Sequence, residues 1–269
     1  GGGGSGGDLL QGSALRVLGA IYKRAGALPA SAWAEVEPGL ARAFLRLVVA
    51  HAGSREETTQ LAALSAIAAF AGSSVSALAA AVGDDELLDA WLTFDNFKVE
   101  VKAAALHSIA LAAGGGIEGG DGAGDGAEDM AGVCSLLLTA PLFHPKSLQV
   151  GPRNGGRPTS EYLLALARRP VPEVRFGAFD VMRCALHQRG GWGLRALFLQ
   201  TAGYPEFLEN RQTEHERPGR EWKFSVIEAA VRCPEKAVIG AATLERLETM
   251  LRQGPFYVGQ PPPDVRTMA

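Results

Sequence analysis

The side chains able to do chemistry are few and scattered. Five histidines (His51, His107, His144, His187, His215) never fall three or four residues apart, the spacing that sets two imidazoles on one helix face for a metal. Gly114-x-Gly116-x-x-Gly119 has the letters of a dinucleotide-binding turn, but that turn works where a strand delivers it to a helix N-terminus. Here it follows a helical stretch, 101–113, and runs into more glycine, which reads as linker. Asp121, Asp125 and Gly126 echo a calcium loop, yet Ala123 and Gly132 stand where the cage needs oxygen ligands, and Gly124 breaks the calcium-binding nonapeptide. Cys134, Cys184 and Cys233 lie 50 and 49 residues apart with no C-x-x-C pair, so they read as small buried hydrophobes in a reducing compartment. No G-x-S-x-G, H-E-x-x-H or phosphate-binding P-loop occurs. An enzyme would need distant groups to converge, for example His187 and His215 with nearby acids. Without that, no catalytic residue, metal or cofactor is expected.

Charge narrows the partners. The 269 residues carry 26 basic and 29 acidic side chains, a net −3, which gives no electrostatic footprint for nucleic acid. The balance is uneven, 9 basic against 16 acidic in residues 1–150 and 17 against 13 in 151–269. No stretch has the length and apolarity of a membrane span, and no signal segment is visible, so a soluble cytoplasmic protein, also able to enter the nucleus, is expected.

What positions these residues is helix nearly everywhere. Leu10, Ala14, Leu18, Ile21 and Tyr22 fall on one face, as do Leu40, Phe44, Leu47 and Val48, and Leu244, Leu247 and Leu251 repeat the spacing. Residues 1–7 read as a flexible Gly-rich linker, 114–129 as a disordered acidic Gly-rich loop, 151–158 as a second loop, and 259–269 as a flexible tail. One frame recurs at residues 59–67 (TQLAALSAI), 101–109 (VKAAALHSI) and 174–182 (VRFGAFDVM). It sets a small alanine four residues after the first position and bulky residues five and eight after it. The first interval is 42 residues, within the range of HEAT and armadillo units; the second is 73 and has room for another helical pair. The alanine admits a neighbouring helix closely and the bulky pair fills the seam. The expected fold is therefore all-α, an α-solenoid of HEAT/armadillo-like repeats over residues 8–258, with a plain helical bundle as the other reading.

A concave helical surface suits a protein partner. Lys102 and Arg175 occupy the same slot in two repeats, Arg183 lies two turns beyond Arg175, and His107 and His187 sit on the same class of helix. These five are the candidate partner-binding residues, facing either an acidic partner or acids of the chain itself.

The last third carries a resemblance. Trp192 with Leu197 and Phe198, Gly203-x-x-x-Phe207, Arg211-x-x-Glu214-His215-Glu216-Arg217, Glu221-x-Lys223-Phe224, Leu244-x-Arg246-Leu247 and Gly254-Pro255-Phe256-Tyr257-Val258 follow in order. Together they resemble the C-terminal region of the proteasome non-ATPase regulatory subunit 5 family. Arg211, Glu214, His215, Lys223, Gly254, Pro255 and Tyr257 are its motif residues here. Residues 99–102 and 172–175 resemble the family's repeat helices more loosely, and the match runs over most of residues 8–258, about the C-terminal half of a family member. The two Gly-rich insertions have no counterpart in it. The resemblance implies a HEAT-repeat, non-catalytic chaperone for assembly of the proteasome regulatory-particle base. It implies binding of the C-terminal domains of AAA ATPase subunits, and of other base subunits, on a concave face, delaying docking on the core particle. The chain is expected to act as a monomer, with no cofactor, nucleic acid or membrane. A generic HEAT-repeat adaptor for other complexes is the alternative.

Overall fold

A computed structural model describes residues 56–71, 98–112, 159–187 and 191–257, with single positions between 13 and 52 and at 81. The expectations for residues 1–7, 114–129, 151–158 and 259–269, and for Cys134 and His144, lie outside the described residues. Those described are α-helical with short 3-10 and π turns and no strand. In chain order the helices are α1 (Glu57–Ala71), α2 (Val99–Ala110), α3 (Thr159–Ala167), α4 (Pro172–Leu186), α5 (Trp192–Leu194), α6 (Tyr204–Glu209), α7 (Arg217–Arg232) and α8 (Ala241–Gln253). The all-α expectation holds, and no described helix is long and apolar enough to cross a membrane.

Each boundary has a local cause. Pro172 opens α4 where its missing N–H forfeits nothing, with Val171 extended before it, and Pro218 enters the first turn of α7. Gly254 closes α8 at φ 81°, a conformation open to glycine at little cost. α5 runs into a π-helical turn, Arg195–Leu199, whose widened backbone is steadied by Thr201 Oγ1 donating to Ala196 O at 2.8 Å.

Packing follows the recurring frame. All twelve frame positions (Thr59, Ala63, Leu64, Ile67; Val101, Ala105, Leu106, Ile109; Val174, Ala178, Phe179, Met182) are buried. α1 packs on α2, α2 on α4 and α4 on α7, so four helices lean on one another in chain order, with α3 and α5 also set against α4. The α2–α4 approach is close, since a Cβ at Gly177 would lie 2.8 Å from Leu106 Cβ. Around α4 the core is aromatic. Phe179 stacks on Phe207 at 6.1 Å and Phe198 meets Tyr204 edge-on at 5.0 Å. At the far side α8 buries only Leu247 fully and turns a polar face outward.

Candidate interaction site on the last helical layers

Two polar clusters interrupt these seams. The first crosses the α2–α4 contact. Asp180 lies among buried positions of α4 and takes His107 Nδ1 on one carboxylate oxygen at 2.7 Å and Arg183 on the other at 2.8 Å. Burial alone would raise the Asp180 pKa, but the hydrogen bonds and charges of His107 and Arg183 outweigh it and hold the carboxyl below its ordinary value. Trp222 of α7 stands 6.2 Å from the His107 ring and stacks on Phe176 at 6.4 Å, so this cluster joins three helices. Cys184 Sγ lies 3.7 Å from an Asp180 carboxylate oxygen, to which it donates. His187 is exposed at the end of α4 and Lys102 is half-buried, each with an interaction inside the chain.

The second cluster gathers the C-terminal motif. Arg211, in the 3-10 turn Arg211–Thr213, donates to Gly254 O at 2.8 Å, Met250 O at 3.2 Å and Gln253 Oε1 at 3.1 Å. Met250 O also accepts from Gly254 N–H, and the guanidinium meets the negative end of that helix. Its plane also lies 5.4 Å from the Tyr257 ring, while Arg217 does the same for Phe256 at 5.3 Å. Glu214 is 2% exposed, faces Arg175 NH2 at 3.3 Å, and its backbone carbonyl accepts from Arg220 at 3.0 Å. Gly219 leaves room for it, because a Cβ there would press on the Glu214 carboxylate and force it to shift. Lys223, also buried, donates to Asn210 O and Thr213 Oγ1, both at 2.7 Å, and its ammonium sits 4.3 Å from the Phe207 ring. His215 is exposed beside them. Arg211, Glu214, Lys223, Gly254, Pro255 and Tyr257 thus meet at one place. Arg175 joins them, whereas Lys102 and Arg183 stay in the other layer.

Burial drives the electrostatics. It pushes Lys223 down to about 7, opposed by Glu214 and assisted by Arg168, and it pushes Glu214 up against the pull of Arg175 and Lys223. Between pH 7 and the unfolded value near 10.5 the unfolded chain holds more protons at Lys223 than the folded one. Stability from this residue therefore rises with pH across that window, by at most about 1.4 kcal/mol per pH unit. Urea unfolding of wild type and Lys223→Met at pH 7 and pH 9 checks this: the wild-type gain should shrink in the variant, and equal gains would contradict the assignment.

The interior of the second cluster is tightly filled. The space enclosed among Leu208, Arg211, Glu214, Lys223 and Ile227 is about 30 Å³, room for little more than a water. Among the described residues no group of three or more His, Cys, Asp or Glu could hold a metal. Cys184 and Cys233 are buried free thiols, and burial raises Cys233 to about 11, far from a reactive thiolate.

Sequence reasoning did not single out Asp180, Arg168, Arg169 or Arg220, and it met Phe207 only as part of the C-terminal motif. For Asp180 a signal existed, an acid flanked by the apolar residues Phe179, Val181 and Met182, two of them frame positions. For the arginines the signal was the run Arg168-Arg169 just before the Pro170 turn.

The described residues define an all-α protein of serially packed helices, with a buried charged cluster joining its last layers. Residues 153–268 match the family model described as proteasome non-ATPase 26S subunit, and that stretch contains the whole of this cluster. The particular proteins it resembles are named 26S proteasome non-ATPase regulatory subunit 5. The bovine and human ones are each 26% identical over 99 residues, 36% of this chain and 19% of theirs, and the mouse one is 27% identical over 103 residues. The alignment thus takes in about a fifth of the length of these relatives. A crystallised engineered protein shares the fold at a TM-score of 0.52, with 17% identity, over 93% of this chain and 92% of its own.

Proposed function

We propose that the chain is a non-catalytic chaperone for assembly of the 26S proteasome regulatory-particle base. On this reading its stacked helices form a HEAT-like solenoid whose concave face holds the C-terminal domain of an AAA ATPase subunit. Occupying that domain delays its docking on the core particle. The observation that carries the reading is the match over residues 153–268, whose motif residues Arg211, Glu214, Lys223 and Gly254 converge on one cluster around the end of α8. The serial packing of α1, α2, α4 and α7 supports it, because side-by-side helices of this kind build the long surfaces that grip other polypeptides. The protein would act as a monomer in the cytoplasm and nucleus.

Purified chain immobilised at micromolar concentration and challenged with individual ATPase C-terminal domains should retain at least one of them. Retention of none would overturn the proposal. Capture of other complexes instead, with base assembly normal in cells lacking the protein, would assign it to the adaptor class.

A further inference from the structure

Beside the buried cluster, a pocket of about 360 Å³ opens between the end of α3, the turn into α4, and α6. Arg168, Arg169, Arg175, Phe207, Thr213 and Glu214 line it, three cations against one carboxylate. Arg168 and Arg169 are exposed, and neither pairs with an acid among the described residues. Arg168 lies 5.5 Å from the centre of the Phe207 ring, on which Lys223 also sits. Arg175 is fixed in place: NH1 donates to Arg169 O at 3.3 Å and Pro170 O at 3.2 Å, and NH2 faces Glu214. Its Nε–H is buried and meets no acceptor among the described residues. Being shut off from solvent, this Nε–H reports on the Arg175 side chain and is not itself a contact for a ligand.

We propose that this pocket binds the carboxylate of an Asp or Glu side chain on a protein partner, gripped by Arg168 and Arg169 at the mouth and Arg175 within. Three guanidiniums against Glu214 leave a surplus that one negative charge reduces, and a planar carboxylate fits the fork of an arginine. Inorganic phosphate offers the arginines more charge but lacks the flanking peptide of a protein partner, so it forms a separate arm of the test. A nucleic acid would face a chain of net charge −3. The inference rests on the proposed function only in that the owner of the carboxylate is a protein.

The test follows the Arg175 Nε–Hε signal by NMR in full-length protein. The probe is the blocked peptide acetyl-Ala-Leu-Glu-Leu-Ala-amide; its Gln counterpart and inorganic phosphate are separate arms. The Glu peptide should shift the signal saturably, the Gln peptide should bind at least about tenfold more weakly, and phosphate should bind more weakly than the Glu peptide. The double variant Arg168→Ala/Arg169→Ala gives up the Arg168 contact with Phe207 but no buried side chain, so a thermal melt within about 4 °C of wild type and about tenfold weaker binding of the Glu peptide are expected together. No saturable shift, equal binding of the Gln peptide, tighter binding of phosphate, or undiminished binding by the double variant each overturns the site. None of these outcomes touches capture of ATPase domains by the wild-type chain, which separately decides the chaperone reading.

Discussion

Glu214→Ala should destabilise the protein by about 3–5 kcal/mol, because it removes the one carboxylate facing Arg175 and Lys223 and leaves buried positive charge uncompensated. The pair itself contributes little net stability, since desolvation of both ions offsets most of their attraction. Removal of a single partner is the damaging change. Glu214→Gln should hurt less, keeping the shape that Gly219 accommodates and an oxygen toward Arg175. Urea unfolding of both variants at pH 7 measures the difference. A cost for Glu214→Ala below about 1 kcal/mol would mean that the cluster is solvated in solution.

Phe179→Ala should cost about 3–5 kcal/mol for an independent reason. Phe179 is wholly buried at the bulky frame position of α4 and stacks on Phe207, the ring that also carries Lys223 and Arg168. Its loss leaves a cavity beneath a charged layer, where surrounding helices held from several sides collapse poorly. The same denaturation experiment reads the cost, and Phe179→Leu, which retains most of the volume, should recover a large share of it. A similar loss in both variants would point to ring stacking, not cavity volume, as the stabilising element.

The frame was legible in the sequence because the helical period leaves a mark wherever one face must be dry, and twelve of twelve frame positions are buried. The long second interval was legible only as a space. α3, which partly fills it, is nine residues long, too short to establish a period by itself. The charged cluster was legible as letters and not as an arrangement. Lysine is ordinarily a surface residue, so nothing local marks Lys223 as buried; its place is set by Asn210, Thr213 and Phe207, ten or more residues away. Lys102 and Arg175 share a slot in the repeat yet differ in fate, because Glu214 faces only the second. Such differences arise from which layer comes next, and that information is absent from either repeat alone.

α8 has one wholly buried anchor, Leu247, and a latch at its far end in the carbonyls held by Arg211. Leu244, Met250 and Leu251 are only partly buried, and a helix held by a single fully buried residue opens at lower free energy than the core. The molecule should therefore yield in stages, its final helix swinging free like a hinged flap before the α2–α4 junction gives way.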